Sequence, residues 1–270
     1  MQNQPLVSIV MATFNEPEAV ISEAIESILN QTYKNLELII VDDSTDKSTK
    51  NTIEKYLSDK RVVYYHPERR LGFVPALNKG LSLSSGEYIA RMDGDDICYP
   101  ERLEKQVVFL QENKDISIVG GQIDIINSAG ELISKRHYPT GGIKLFLFSC
   151  LRSPFAHSTV FMRRSIIDAG LKYDESLPAS EDIDLWLKIM YSGYKWANIN
   201  DTVLKFRVSD DFAIKRSAEK EVVYTAKVRK ENFSGKYFLH WLLSYLLSRI
   251  YLYMPHKWLA YMHNRQNHQN

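Results

Sequence analysis

The sequence predicts an α/β protein with a Rossmann-like, doubly wound and mostly parallel sheet, followed by a C-terminal helical appendage. Apolar runs of strand length alternate with segments of helical periodicity, and polar clusters follow three of the runs. This alternation is typical of a parallel sheet with helices on both faces. At 270 residues, the chain is long enough for one large domain, or one domain with an appendage.

Four strands and three helices are predicted in the first hundred residues. The first apolar run is uninterrupted, as in a strand that helices cover on both faces. Pro17 suits the first position of the helix that follows it. The predicted strands are 6–12, 36–41, 62–65 and 88–92, and the helices begin at Pro17 and span 47–57 and 74–83.

The second half is predicted to mix both element types. Helices are expected at 100–113 and 143–150, and strands at 116–126, 132–135 and 160–162. Ser180, Glu181 and Asp182 open another helix, because polar and acidic residues favour a helix start. Its predicted buried face consists of Leu185, Trp186, Ile189 and Met190.

Charge and cysteine content limit the possible partners and compartment. The net charge is +1, which gives no overall basic footprint for nucleic acid. Two cysteines are too few for a disulfide framework, and no secretory signal pattern is evident, so we expect a cytoplasmic protein. From Phe212 onward the chain has ten Lys/Arg and three acidic residues. The net charge of this part is therefore +7, and that of the preceding residues is −6. We therefore predict a domain at 1–210 and a basic tail at 211–270.

The acidic cluster after the fourth strand is the strongest indication of a site. Asp93, Asp95 and Asp96 surround Gly94. Carboxylates this close repel one another unless a cation lies between them, and hard divalent metals prefer oxygen ligands. The alternative is a surface turn, since Asp-Gly is a common turn signal. Asp42 and Asp43 end the second strand, and ligands bind beyond the carboxyl ends of such strands. Asp43 is the better candidate for contact with a nucleotide, and helix capping before Lys47 is the alternative.

Other candidates depend more on their surroundings. Glu181 or Asp182 could be a general base, although acids in a first helical turn are also favoured by the helix dipole. His157 could donate to a phosphate or an acceptor, or could be a structural histidine. Arg207 and the Lys215–Arg216 pair could clamp a diphosphate, with surface solvation as the alternative.

The tail carries a basic segment, 236–262, that is rich in aromatic residues and interrupted by polar ones. It is short and polar for a spanning helix, which needs about 20 apolar residues. A helix in the bilayer interface fits better. The alternative is a helical pair that packs on the body or in a homodimer.

These motifs resemble family 2 glycosyltransferases, which have the A-type glycosyltransferase fold. The resemblance covers roughly residues 5–210, although the glycine that commonly follows the two acids of the second motif is missing. The segments that carry it are 8–16, 41–46, 71–80, 85–96, 157–164 and 181–186.

The resemblance implies a role for each matching residue. Asp43 would bind the uracil of a UDP-sugar, with Thr13 and Asn15 nearby. Asp93 and Asp95 would form the motif for manganese or magnesium, with Asp95 as the direct ligand. Asp182 would be the catalytic base and Glu181 its neighbour.

The sequence thus predicts a non-processive, inverting hexosyltransferase at the inner face of the cytoplasmic membrane. The family's processive synthases carry a Gln-x-x-Arg-Trp motif and several spanning helices, and neither is found. The expected acceptor is a glycan linked to a lipid diphosphate, in bacterial O-antigen or capsule synthesis. A dinucleotide oxidoreductase is disfavoured, because no Gly-x-Gly-x-x-Gly follows the first strand. The remaining alternative is a non-catalytic module that binds a nucleotide-sugar or a membrane.

Overall fold

The computed structural model describes residues 4–208 and 218–252, and it confirms the α/β class. The first half alternates strands and helices as predicted, and β3, β2, β1 and β4 lie side by side in parallel. Its elements are β1 (Val7–Thr13), α1 (Glu18–Leu29), β2 (Leu36–Asp42), α2 (Lys47–Glu54), β3 (Val62–Tyr65), α3 (Phe73–Leu83) and β4 (Tyr88–Asp93).

The second half makes the sheet more mixed than the sequence predicts. β8 is antiparallel to both β4 and β6, whereas β9 is parallel to β6. Hydrophobic patterning reports that a strand is buried but not its direction. The elements are β5 (Ile97–Cys98), α4 (Arg102–Glu112), β6 (Ile116–Ile126), β7 (Leu132–Arg136), α5 (Gly142–Ser149), a 3₁₀ turn (His157–Thr159), β8 (Phe161–Arg163), α6 (Ser165–Asp168), α7 (Glu181–Tyr191) and β9 (Lys195–Arg207).

The long strand β9 is an element that the sequence patterning missed. Its centre is polar, with Asn198, Asn200, Asp201 and Thr202, and its pairing with β6 shifts register there. β5 pairs with the end of β9, where Ile97 lies opposite Lys205. This pairing brings the end of β9 to the acidic cluster after β4.

The sheet is covered by helices on both faces, as predicted. One core cluster contains Ile21, Ile25 and Leu103 from α1 and α4, and another contains Leu77, Leu185 and Trp186 from α3 and α7. The predicted buried face of α7 is confirmed, since Leu185, Trp186, Ile189 and Met190 are all buried.

Two further helices, α8 (Ala218–Glu231) and α9 (Phe238–Leu252), pack on α7 and α5. Asn232 donates to Asp184 of α7 at 2.8 Å, and His240 lies between Ser149 and Tyr191. Among helices in 4–208 and 218–252, none has the length and apolar character needed to cross a membrane. Lys215, Arg216 and the end of the aromatic segment, 253–262, lie outside the described residues. The boundary at 210/211 stays a prediction.

Candidate active site

Three parallel strands bring their carboxyl ends to one edge of the sheet. In the register of the sheet, Thr13 lies opposite Asp42, and Ala12 lies opposite Asp93. Gly94 lets the turn after β4 approach β1 closely, because a Cβ there would lie 2.9 Å from the Thr13 hydroxyl oxygen. The three polar clusters predicted from the sequence therefore do meet at this edge.

Asn15 joins the turn after β1 to the turn after β2. Its φ of +58° is in the left-handed region, which asparagine tolerates better than most residues. Its side-chain oxygen accepts hydrogen bonds from the backbone N–H groups of Thr45 and Asp46, at 2.9 and 3.2 Å. Asp46 caps α2 through the N–H groups of Ser48 and Thr49, so capping is confirmed at Asp46. Asn15 thus shapes this edge even before any contact with a nucleotide.

Asp43 is buried at the end of β2 and holds the loop before α3. Its carboxylate accepts hydrogen bonds from the backbone N–H groups of Leu71 and Gly72, at 2.6 and 2.8 Å. Gly72 has a φ of +89°, a conformation that favours glycine. Asp42, in contrast, is fully buried and accepts hydrogen bonds from Tyr64 and Ser44. Of the two acids, Asp43 remains the candidate for contact with a ligand.

In the acidic cluster, Asp93 is paired with a buried arginine. Arg91 precedes it on the same face of β4 and donates to both of its carboxylate oxygens. Ser158 donates to Asp93 at 2.8 Å and accepts from Arg91 at 2.7 Å. This arrangement fixes the orientation of Asp93 and offsets part of the negative charge at the edge.

Asp95 and Asp96 lie in an environment that disfavours their charged forms. Burial first, then the charges of Asp93 and Glu16, raises the pKa of Asp95 to about 7. Burial, followed by Asp95 and Asp93, holds the pKa of Asp96 well above its usual range. Burial also raises the pKa of Glu16, which accepts from the Phe14 N–H at 2.6 Å and from the Thr13 hydroxyl.

The acidic cluster fits a divalent cation. Asp93, Asp95 and Asp96 can each direct one oxygen so that all three lie within 4.8 Å of one another. The Oδ2 atom of Asp96 is buried and has no hydrogen-bond partner among the described residues. Carboxylate oxygens are the ligands that Mg²⁺ and Mn²⁺ prefer. A dication would relieve the crowding of negative charge that raises these pKa values.

Arg207 has a different role from the diphosphate clamp predicted for it. Its backbone N–H donates to Asp96 at 2.9 Å, and its guanidinium donates to the Asp95 carbonyl, the Ser128 carbonyl and Glu23. The side chain is only 8% exposed. With its donors directed at these groups, Arg207 holds the Asp95–Asp96 turn in place, and we assign it that positioning role.

His157 and Tyr173 lie between the acidic cluster and the start of α7. The Nε2 atom of His157 is 2.7 Å from the Tyr173 hydroxyl, so His157 has the satisfied partner expected of a structural histidine. Burial raises the pKa of Tyr173, Arg91 lowers it, and Glu181, Asp182 and Asp93 raise it further. Tyr173 is therefore close enough to both groups of acids to be influenced by their charges.

Asp182 is in the first turn of α7 and is half-buried. Ser153 donates to its Oδ2 at 3.0 Å, which fixes the direction of the carboxylate. Glu181 lies beside it at the start of the helix. Ser180 precedes both with a φ of +62°, and its hydroxyl is 2.9 Å from that of Thr225 on α8.

Sequence reasoning missed several residues that shape the site. Arg91 could have been noticed as a lone charge inside an apolar strand, and Glu16 as a fourth carboxylate after β1. Nothing near Ser153 or Tyr173 in the sequence indicates a role, because each reaches its partner over a long sequence separation. Ser158 lies in the 157–164 segment, but its contact with Asp93 depends on the fold.

Comparison with known proteins identifies the family. The model of glycosyl transferase family 2 matches residues 8–171, which is more than half of the chain. The chain belongs to this family. One relative is the O-antigen biosynthesis glycosyltransferase WbnJ of Escherichia coli, 35% identical over 211 residues, or 75% of this chain and 80% of the relative.

Solved glycosyltransferases share the fold. One is TarS of Staphylococcus aureus, residues 1–349, in complex with UDP-GlcNAc. It superposes with a TM-score of 0.72 at 19% sequence identity, and the match covers 91% of this chain and 72% of the TarS chain. The mannosyltransferase PcManGT of Pyrobaculum calidifontis, with GDP-Man and Mn²⁺, has a TM-score of 0.66 at 16% identity. This match covers 98% of this chain and 74% of the PcManGT chain. The predicted A-type glycosyltransferase fold is confirmed.

Proposed function

We propose that this glycosyltransferase is non-processive and inverting, and that it moves a hexose from a UDP-sugar to a hydroxyl of a lipid-diphosphate-linked glycan. The observation that carries the proposal is that Asp182 is a base candidate oriented by Ser153, and that its charge and that of Asp93 after β4 both act on Tyr173. One base suffices for direct displacement, whereas a covalent intermediate would need a nucleophile as well.

The donor would lie along the edge where β1, β2 and β4 end. Asp43 is proposed to accept a hydrogen bond from the uracil, and Thr13 and Asn15 to shape the same pocket. Asp95, together with Asp93, would hold Mn²⁺ or Mg²⁺, and Asp96 would support the site. Such an ion supplies Lewis-acid stabilisation of the departing diphosphate. Binding of UDP-GlcNAc by TarS, and of GDP-Man with Mn²⁺ by PcManGT, supports this class of donor and cofactor.

Asp182 is proposed to accept the proton of the acceptor hydroxyl. That oxygen then forms a bond with the anomeric carbon while the bond from this carbon to the diphosphate oxygen breaks. UDP leaves with the electron pair, and attack from the opposite face inverts the anomeric configuration. Ser153 keeps the Asp182 carboxylate directed at the acceptor during these changes.

The acceptor and setting are proposed from chemistry and relatives together. The name of WbnJ places that relative in O-antigen biosynthesis. A role in bacterial surface polysaccharide synthesis, at the cytoplasmic face of the membrane, is the corresponding proposal for this chain. A panel of UDP- and GDP-sugars with polyprenyl-diphosphate-linked acceptors tests it, with NMR of the product's anomeric configuration. We expect metal-dependent transfer from one UDP-hexose with inversion. A retained configuration, or transfer from GDP-sugars alone, would contradict the proposal.

A further inference from the structure

Helix α9 is oriented opposite to an ordinary surface helix. Its buried residues are polar: His240, Ser244 and Ser248 are 1%, 0% and 6% exposed. A surface helix normally turns its apolar face to the core and its polar face to water. On α9 a stripe of large apolar residues instead faces outward, at Leu239, Leu246 and Ile250, which are 74%, 50% and 56% exposed.

Helix α5, which contacts α9, carries a second outward apolar stripe. Ile143 and Leu147 on α5, and Leu151 in the turn just after it, are 68%, 48% and 41% exposed. The two helices are joined at His240, whose ring lies 4.6 Å from that of Phe146 and 2.8 Å from the Ser149 hydroxyl. We call these six exposed residues together the α5–α9 surface.

The charges around this surface are basic. Neither Gly142–Ser149 nor Phe238–Leu252 contains an acidic residue. Exposed lysines are carried by the same elements and by α8, at Lys144 on α5, Lys227 and Lys230 on α8, and Lys236 before α9. Against them stands one exposed acid among the described side chains of these elements, Glu231 at the end of α8. An apolar stripe bordered by lysines matches an anionic bilayer surface. A second copy of the chain would bring like charges together, which opposes self-association through this surface.

The α5–α9 surface also leads directly to the proposed base. Ser153 follows Leu151 by two residues and donates to Asp182. Helix α8, which packs against α9, contacts Ser180 just before α7. A bilayer against this surface would therefore lie on the side of the molecule where the acceptor hydroxyl must arrive.

We infer that the α5–α9 surface docks on an anionic lipid bilayer and presents Asp182 to acceptors held in that bilayer. The acceptor part of the inference rests on the proposed function. The docking part does not, because it concerns binding to lipid rather than transfer.

Vesicle flotation of the full chain tests docking without any turnover. We expect binding to phosphatidylcholine vesicles that contain phosphatidylglycerol, weaker binding to phosphatidylcholine alone, and weakening by salt. The double variants Leu246→Glu/Ile250→Glu and Ile143→Glu/Leu147→Glu should each lose about tenfold or more in vesicle affinity. Each removes apolar area that would be buried in the bilayer on docking. Val108→Glu is the control, since Val108 is 44% exposed on α4, outside this surface.

The outcomes separate docking from function. Equal binding by both double variants and the wild type, or a concentration-dependent dimer that either variant breaks, would overturn the inference. A docking-defective variant should transfer normally to a water-soluble acceptor and poorly to a bilayer-held one. If the wild type binds vesicles but transfers to neither acceptor, the proposed function fails while the docking surface stands.

Discussion

The guanidinium of Arg91 donates to both carboxylate oxygens of Asp93, two residues further along β4. Arg91 is 3% exposed, so this pair lies where charge is poorly solvated. Removal of one partner from such a pair leaves an uncompensated buried charge. The pair is thus central to how three carboxylates can be close together at one strand end.

Substitution of Arg91 by methionine should destabilise the fold. We expect a loss of about 3–5 kcal/mol in the free energy of unfolding, because the Asp93 carboxylate would lose the guanidinium that donates to both of its oxygens. Urea denaturation followed by circular dichroism measures this. Arg91→Lys, which keeps the charge but not the paired geometry, should fall between the two proteins. A methionine variant as stable as the wild type would show that the pair contributes little.

The parallel half of the fold could be predicted because most of its strands are buried on both faces, and buried strands consist mainly of apolar residues. β1 is buried at every position, so its residues are apolar except for Ser8 and Thr13. β9 could not be predicted in the same way. Its polar side chains reach distant groups: the amide nitrogen of Asn198, for example, donates to the carbonyls of Pro139 and Pro154.

The candidate site was predictable to the extent that it lies at strand ends. Asp43 and Asp95 follow apolar runs, and the rule for parallel sheets brings such ends together. The role of Arg207 could not be read from its neighbours in the chain. It depends on the pairing of β5 with β9, which carries Arg207 to Asp96.

Asp95 should be needed for metal binding. We expect Asp95→Asn to lower Mn²⁺ affinity by more than the 10–100-fold typical of residues that only support a ligand. Calorimetry with Mn²⁺ in the presence of UDP measures this, and Glu101→Gln, an exposed acid on the adjoining loop, is the control. EDTA should abolish transfer, and Mn²⁺ or Mg²⁺ should restore it. Unchanged Mn²⁺ affinity in Asp95→Asn would remove Asp95 from the ligand set.

Asp182 should be needed for turnover but not for donor binding. Asp182→Asn is expected to lower kcat by about 10²–10⁴-fold, since it removes the proton acceptor while keeping the shape of the side chain. Ser153→Ala should cause a smaller loss, because Ser153 only orients that carboxylate. Single-turnover rates and the affinity for UDP are the measurements. The base would have to be sought elsewhere, with Glu181 first, if Asp182→Asn kept near-normal rates.

The attachment of α9 should weaken in acid because of His240. Burial first, and then Arg229, lowers the pKa of His240 to about 4 from an ordinary 6.5. Ser149 of α5, Tyr191 of α7 and the Phe146 ring also face the imidazole. The neutral ring is thus the form that fits the packed helix.

The sign of the effect follows from which state binds the proton. Above pH 6.5 the ring is neutral whether α9 is packed or not, so the full contribution to stability is present. Between pH 6.5 and 4 the unpacked state binds a proton that the packed state excludes, which lowers stability by about 1.4 kcal/mol for each pKa unit. The protection of the α9 amides against hydrogen exchange, measured relative to the intrinsic exchange rate at each pH, should therefore fall across this range in the wild type. Protection should change far less in His240→Gln, because glutamine does not titrate. The control His137→Gln, which replaces an exposed histidine, should behave like the wild type. If His240→Gln and the wild type were equally sensitive to acid, a group other than His240 would be responsible for the weaker attachment of α9, because His240→Gln removes only that titrating ring.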